Sequence, residues 1–434
     1  MEMRRALVED FLGGAIAALL PVISRIPGPQ LLRVVPRLPV PASTGCRNLR
    51  ELVTRNVSFL SLLKRLRSSA QPGLKRARIR SYIINPIIAS QRQRERVSKR
   101  LGHRGIGALV LTPSVECNLD CELCYNKHHT RPEARLDLET MDRVVKEAKA
   151  LGAYRVSVIG GEPLLRWHDV LLLARSNPEV LFTIMTNGLL LTPEMAEGFA
   201  ERGNVELSFS IDGLRETNDR LRGAGTFDQI LAAMELYRSV GGMLLYSPTI
   251  TSENYQEVLS DEFIDLMLTK GAYMGYHHHY YLVGGQNRSE LLLSAEQRRW
   301  IAKRIAEVHA SKPIILFDNV ESQIFRGGCQ AVNEYVHINH EGYVEPCCMV
   351  QFAHDSVHAR SLADILGSEF FQQIRCVSVD GQGIKRCLVG ENHRPFKTIV
   401  DQTAATPTGP HALDVFDDER TSVASRMPTC FCSS

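Results

Sequence analysis

From Ala108 onward the chain alternates short apolar runs with helix-like stretches, and this alternation restricts the fold more than any other feature. Ala108–Thr112, Arg155–Ile159, Leu181–Met185, Val205–Ile211, Met243–Thr249 and Ala272–Val283 read as six strands, each flanked by turn residues. Short, nearly continuous apolar strands are characteristic of a parallel sheet covered on both faces. Helix-like segments fall between them near 138–151, 166–176, 193–202, 226–240 and 255–270, with another at 294–310. Such spacing builds βαβ units. Six units predict an α/β fold, a partial (β/α)6 TIM-type barrel, whose functional loops gather at the C-terminal ends of the strands.

Past about residue 312 the texture changes. Tyr335–Asn339 and Tyr343–Pro346 read as a β-hairpin, followed by short helices near 361–366 and 369–375. The stretch from Thr403 is rich in Pro, Thr and acidic residues and reads as a flexible tail. Four regions result: a basic, partly apolar N-terminal extension (1–104), a core barrel (105–311), a small cysteine-bearing module (312–402) and the tail (403–434).

Cys117, Cys121 and Cys124 form C-x3-C-x2-C directly after the first strand, where barrel logic puts functional residues. Three thiolates so close together can hold three irons of a 4Fe-4S cluster and leave the fourth iron open to a small molecule, whereas such clusters normally take four cysteines. The spacing alone also allows a zinc knuckle, although zinc sites usually complete a tetrahedron and no well-spaced partner knuckle lies nearby. A fully ligated ferredoxin-type cluster is the other alternative. Eleven cysteines, clustered rather than spread as a disulfide framework, fit metal binding in a reducing cytoplasm.

Three more motifs fall at successive strand ends. Gly160-Gly161-Glu162-Pro163 follows the second strand, Thr186-Asn187-Gly188 the third and Ser210-Ile211-Asp212-Gly213 the fourth. Each alone is an ordinary turn. In order, one per strand end and behind the three cysteines, they resemble the signature set of the radical SAM superfamily over roughly residues 108–285. The resemblance implies a 4Fe-4S cluster on Cys117, Cys121 and Cys124, with S-adenosylmethionine chelating the unique iron. It implies reductive cleavage to a 5′-deoxyadenosyl radical, hydrogen abstraction from an unactivated carbon, and a flavodoxin- or ferredoxin-type electron donor. By the same resemblance Glu162, with Gly160, Gly161 and Pro163, lies at the amino group of the bound nucleoside. Thr186 and Asn187 line the cofactor site, Ser210 and Asp212 lie on the ribose side, and Arg222 neutralises the carboxylate. The residue before the third cysteine, often aromatic in the family, is Leu123, with Tyr125 directly after; either could flank adenine.

Cys329, twelve residues, Gly342, four residues and Cys347 resemble the opening of a SPASM or twitch auxiliary-cluster motif. This implies a possible auxiliary iron–sulfur cluster on Cys329, Cys347 and Cys387, with Cys348 and Cys376 as candidates for a further ligand position. The C-x2-C-x5-C-x3-C run of full SPASM domains is absent, so one auxiliary cluster at most is expected. Cys430 and Cys432 are assigned nothing. Near the sixth strand's end, Tyr276-His-His-His-Tyr-Tyr281 offers catalytic candidates. Strand alternation puts His277, His279 and Tyr281 on one side and His278 and Tyr280 on the other, and one of the two sets is expected to face the barrel interior.

Charge is divided unevenly. Residues 1–104 carry 21 Lys and Arg against 5 Asp and Glu, and the remainder carries 30 against 43. The basic front segment calls for a negative partner: a nucleic acid, an anionic membrane surface, or the acidic body of the chain itself. Scarce aromatics argue against nucleic acid. The uncharged 14-residue run Phe11–Ser24 is shorter than the ~20 residues a bilayer requires, which fits peripheral contact at the inner membrane face. That segment tilts the expected substrate towards a lipid or other hydrophobic metabolite. Maturation of a ribosomal peptide, or of another small metabolite, is the alternative, and a non-catalytic electron carrier is the reading of a different class.

Overall fold

The computed structural model describes residues 61–62, 65–66, 72–129, 131–318, 329–377, 387–389 and 393–417. A helical stretch opens it: α1 (Pro72–Ile79), a wider π-helical turn at Arg80–Ala89 that contains Pro86, and α2 (Ser90–Leu101). Proline lacks an N–H, and a loosened helical turn is one way to carry it.

The barrel follows as β1 (Ala108–Leu111), α3 (Leu138–Ala150), β2 (Arg155–Val158), α4 (Trp167–Ser176), β3 (Leu181–Thr186), α5 (Pro193–Ala200) and β4 (Val205–Ser210). It continues through α6 (Arg215–Arg222), α7 (Thr226–Ser239), β5 (Met243–Ser247), β6 (Thr249–Ile250), α8 (Tyr255–Val258), α9 (Asp261–Lys270), β7 (Met274–His279), α10 (Ala295–Ser311) and β8 (Ile315–Asp318). All six expected strands form. The helix expected over 255–270 divides into α8 and α9, because Ser260 leaves the helix and caps α9 by accepting from Phe263 N–H at 3.1 Å.

β9 (Tyr335–Ile338) and β10 (Val344–Glu345) are the expected hairpin. Sequence alone did not show that β9 pairs parallel to β1, Leu109 opposite Val336 and Leu111 opposite Ile338. Among the described residues one sheet therefore runs β10-β9-β1-β2-β3-β4-β5-β7-β6, with β8 also beside β7. Its core strands are parallel and no closed barrel forms.

Side-chain alternation sorts the two faces. Leu109, Val156, Val158, Phe182, Ile184, Leu207, Phe209, Leu244 and Tyr246 share one core with helix residues such as Val144, Phe199, Met234 and Phe263. Alternate positions point inward and are largely polar at the lower end. There the buried Glu206 accepts from Thr183 Oγ1 at 2.6 Å and Tyr273 Oη at 2.5 Å, with Arg155 3.6 Å away.

The N-terminal helical stretch closes this lower end. Leu62, Leu66 and Ile83 form a second core with Met243, Leu245 and Tyr273. Arg65 donates to Gly271 O, Arg78 to Gly241 O at 2.5 Å, Asn85 to Glu179 O at 2.5 Å, Ser90 to Gly152 O at 2.6 Å and Arg94 to Gly105 O at 2.9 Å. Gly271, Gly241 and Gly152 follow the C-terminal ends of α9, α7 and α3, where the helix dipole leaves partial negative charge and unpaired carbonyls. Of the three partners weighed for the basic segment, the acidic body of the chain is the one these described arginines meet. Phe11–Ser24 lies outside the described residues.

β11 (Phe352–Ala353), α11 (Leu362–Leu366), α12 (Glu369–Val377), α13 (His393–Thr403) and β12 (Thr406–Pro407) complete the C-terminal module. The flexible tail expected from 403 needs correction as far as 417. β12 pairs with β11, Thr408 Oγ1 donates to Glu345, and Phe416 packs 5.2 Å from Phe352 and 5.8 Å from Phe396. Prolines and acidic residues there mark a non-helical path whose apolar members are still buried.

Candidate functional site

The loop from Thr112 to Tyr125 carries the three cysteines across the open mouth of the barrel, and separate elements hold it. At the end of β2, Gly161 N–H donates to Ser114 O at 3.1 Å and Glu162 N–H to Glu116 O at 2.7 Å. A Cβ on Gly161 would stand 1.9 Å from Glu116 O, so the two backbones meet only because this residue has no side chain. At the end of β3, Asn187 Nδ2 donates to Asn118 Oδ1 at 2.8 Å. At the end of α6, Leu221 O accepts from Glu122 N–H at 2.8 Å. From the loop after β7, Gln286 Nε2 donates to Cys124 O at 3.1 Å. The Gly-Gly-Glu-Pro and Thr-Asn-Gly motifs therefore lie directly against this loop, and Asp212 pairs with Arg222, the residue after Leu221.

Glu162 is buried and central. Its Oε1 accepts from Leu164 N–H at 2.9 Å and from Thr186 Oγ1 at 2.7 Å, and its Oε2 accepts from Asn187 N–H at 2.8 Å. Burial pushes its pKa above the usual carboxylate value, and these three donors offset part of that effect. Oε2 keeps a lone pair for a further donor such as an ammonium group. Pro163 opens a short 3₁₀ turn capped by Glu162, which fixes the carboxylate's direction.

Asp212 and Arg222 form an ion pair, Nε to Oδ2 2.7 Å, with side chains 5% and 12% exposed. Asp212 Oδ1 also accepts from Thr249 N–H at 2.7 Å. Burial works against the Arg222 charge, but Asp212 and then Cys121 more than compensate, and its pKa stays above the ordinary value. Ser210 ends β4 beside this pair.

Burial pushes all three thiols up, Cys117 to about 11, while Arg222 draws Cys121 and Cys124 the other way. Leu119 N–H points at Cys117 Sγ at 3.5 Å. Three thiols on one short loop, beside a fixed cation, suit a bound metal centre, which deprotonates coordinating thiols outright. The donor set fits an iron–sulfur cluster.

At β7 the packing decides which of the two alternating sets faces inward. His277 stacks edge-on against Tyr246 at 5.7 Å, and Tyr246 packs against Phe263 of α9 at 5.6 Å, so His277 faces the helix layer. His279 pairs with Asp318, Nε2 to Oδ2 2.7 Å, both side chains buried. Tyr281 is partly buried against the same main core. The inward pair is Tyr276 and His278, rings 4.3 Å apart, with Tyr276 at the edge of the second core. Alternation separated the two sets correctly but does not say which face of a strand is inside.

The auxiliary module's cysteines collect around Tyr335, whose hydroxyl donates to Cys347 Sγ at 3.3 Å and which lies close to Cys329 and Cys348. Tyr125 does not point into open space beside the cysteine loop: it is partly buried against the main core, with Cys348 close to its phenol. Cys376 is exposed on α12 and Cys387 is half-buried. Sequence reading also passed over a buried polar chain from β1 into the hairpin. Thr112 Oγ1 lies 2.8 Å from His337 Nε2, and His337 Nδ1 lies 2.6 Å from Glu345 Oε2. Polar residues at alternate positions of the expected hairpin, His337, Asn339 and Glu345, were the available signal. Gly284, directly after the last residue assigned to the sixth strand, was another: a Cβ there would stand 1.9 Å from Tyr125 O, at a φ of +62°.

Comparison with known proteins agrees with this architecture. Residues 111–262 match the radical SAM superfamily, and residues 329–388 match SPASM, an iron-sulfur cluster-binding domain. The chain belongs to the radical SAM superfamily and is an enzyme of the SPASM-bearing kind. Its cofactors are a 4Fe-4S cluster and S-adenosylmethionine, with an auxiliary iron–sulfur centre in the SPASM region. It is similar to the sporulation killing factor maturation protein SkfB of Bacillus subtilis, 24% identical over 290 residues, which cover 65% of this chain and 70% of that one. It is also similar to the mycofactocin maturase MftC of Mycolicibacterium smegmatis, 31% identical over 161 residues, 36% of this chain and 40% of the other. In fold it resembles Streptococcus suis SuiB, with a TM-score of 0.56 at 18% identity, covering 66% of this chain and 72% of that one.

Proposed function

We propose that this enzyme matures a peptide by abstracting hydrogen from one of its unactivated carbons. The observation that carries the reading is the extent of the SkfB similarity, 65% of this chain. MftC is also named a maturase, and SuiB has been crystallised bound to its precursor peptide SuiA. The expectation of a lipid or other hydrophobic substrate drew its support from the basic, partly apolar front segment. Arg65, Arg78 and Arg94 are engaged beneath the barrel, and no helix among the described residues is long and apolar enough to cross a membrane.

In this reading Cys117, Cys121 and Cys124 hold the cluster and leave one iron for S-adenosylmethionine. When bound, the pair supplies a 5′-deoxyadenosyl radical. Glu162 orients the nucleoside's ammonium group through the free lone pair of Oε2, while Thr186 and Asn187 fix its carboxylate in place. Gly160 and Gly161 let the cysteine loop lie against β2. Arg222 meets the carboxylate, Asp212 holds Arg222, and Ser210 and Asp212 lie on the ribose side. Cys329, Cys347 and Cys387 are ligands of the auxiliary cluster. An external flavodoxin- or ferredoxin-type protein delivers the electron.

The test uses full-length protein reconstituted anaerobically, with S-adenosylmethionine, dithionite and short peptides encoded near its gene. A peptide mass change that appears together with 5′-deoxyadenosine supports the reading. Production of 5′-deoxyadenosine with every peptide unchanged, while a lipid or small-metabolite extract is altered, overturns it.

A further inference from the structure

The three consecutive histidines of β7 divide between its two faces. His277 sits edge-on to Tyr246 at 5.7 Å and faces the helix layer, and His279 Nε2 lies 2.7 Å from Asp318 Oδ2 with both side chains buried. These two anchor the strand from its outer face. Its backbone is fixed on β6, because His278 N–H donates to Pro248 O at 3.0 Å and Tyr280 N–H to Ile250 O at 2.9 Å. Successive side chains of a strand point to opposite faces, so His278, between two anchored neighbours, is directed into the barrel.

The residues around it form a pocket wall over a closed floor. Tyr276 lies beneath His278, ring centroids 4.3 Å apart, and Phe317 of β8 packs on Tyr276 at 5.0 Å. Below Tyr276 the second core, with Leu62, Leu66 and Leu245, fills the lumen. To the side, the inward positions of β5 and β6 are the small hydroxyl residues Ser247 and Thr249. Thr249 stands opposite His278 in the ladder, and its N–H donates to Asp212 Oδ1 at 2.7 Å. His278 is therefore one strand away from the Asp212–Arg222 pair at the S-adenosylmethionine site.

The His278 ring is partly exposed, yet its Nε2 is buried and has no hydrogen-bond partner among the described residues. A neutral imidazole carries one donor and one acceptor nitrogen, and buried polar atoms in folded proteins are nearly always paired. Burial lowers the His278 pKa to about 4, so the ring is neutral and suits an uncharged partner.

We infer that His278 is a specificity-determining residue that hydrogen-bonds a neutral group of the peptide, a backbone amide or an uncharged polar side chain, and so holds the reacting carbon beside the S-adenosylmethionine site. Tyr276 is the apolar rest beneath that group. The inference deepens the proposed function and rests on it.

The experiment uses full-length reconstituted protein, S-adenosylmethionine, dithionite and whichever short peptide encoded near the gene the parent protein modifies. His278→Phe keeps a flat ring on Tyr276 and removes both nitrogens. Loss of one hydrogen bond to substrate is expected to raise KM for the peptide about tenfold, and 5′-deoxyadenosine released per peptide modified should rise because the carbon is held less well. His278→Asn, a neutral donor and acceptor, is expected to recover part of both losses. If His278→Phe does not fold, His278→Ala decides by the same criterion. A KM and a release ratio both within twofold of the parent in the decisive variant overturn the inference alone. So does an Asn variant no better than the decisive one, since shape rather than hydrogen bonding then matters, and so does misfolding of both the Phe and Ala variants, which makes His278 a structural residue. A parent that modifies no peptide but alters a lipid or small metabolite overturns the peptide reading and the inference with it.

Discussion

Arg222 and Asp212 lie 2.7 Å apart beneath the cysteine loop, a nearly buried ion pair that joins the end of α6 to the turn after β4. Removing one member of a buried pair leaves the other charge unpaired, at a cost of about 3–5 kcal/mol. Asp212→Asn is therefore expected to lower the urea midpoint of the cluster-free protein with little change in slope. It should also weaken S-adenosylmethionine binding to the reconstituted protein, because Arg222 is then free to swing away. An unchanged midpoint would mean that water already screens the pair.

Gly161→Ala tests whether the approach of β2 to the cysteine loop is needed for cluster assembly. The added methyl would fall 1.9 Å from Glu116 O, an atom of the backbone that cannot rotate aside. The loop must shift, and iron bound per chain after anaerobic reconstitution is expected to drop severalfold, with far-ultraviolet circular dichroism unchanged. Full iron loading in this variant would show that the loop tolerates displacement.

The fold's framework was legible because it rests on local signals. The six barrel strands and the helices between them follow from short apolar runs alternating with helix-like stretches, and the cysteine spacing falls at one strand end. What stayed hidden depends on long-range partners. Nothing local to Tyr335–Ile338 says that it will join β1, because the two segments are separated by the whole barrel. Arg65 and Arg78 read as free positive charge until the helix ends they cap are in view, and Arg94 until Gly105 and Glu334 are. His277 and His279 fit an inward alternation as well as an outward one, and only the packing of Tyr246 on Phe263 decides between them. That Tyr125 lies close to Cys348 could not be read locally, because the two are more than two hundred residues apart in sequence.

The underside closure makes a prediction about the basic segment. Arg94 grips Glu334 in a fork, Nη1 to Oε2 2.7 Å and Nη2 to Oε1 2.8 Å, while its Nε serves Gly105 O. Planar two-point pairs of this kind have the geometry in which surface ion pairs contribute measurably. A double-mutant cycle of Arg94→Ala and Glu334→Gln in urea melts is expected to give a coupling of about 1 kcal/mol or more. Additive single effects would return the segment to the status of a loosely attached arm.

His277 gives the sign of an acid-sensitivity test. Burial against Tyr246 drives its pKa from 6.5 down to about 4, with Asp318 opposing in part. The unfolded chain then binds the proton more readily than the folded one between those two values. Stability from this group is complete above pH 6.5 and is lost as the pH falls towards 4. Between pH 7 and pH 5 the loss from His277 alone is about 2 kcal/mol at most, following the usual 1.36 kcal/mol per pKa unit. Urea midpoints of the cluster-free protein should fall across that interval. His277→Gln, which cannot ionise, should flatten the slope while lowering the plateau at pH 7. A slope that persists unchanged in the variant would locate the acid sensitivity elsewhere, with His278 the next group to examine, since burial lowers it to about 4 as well.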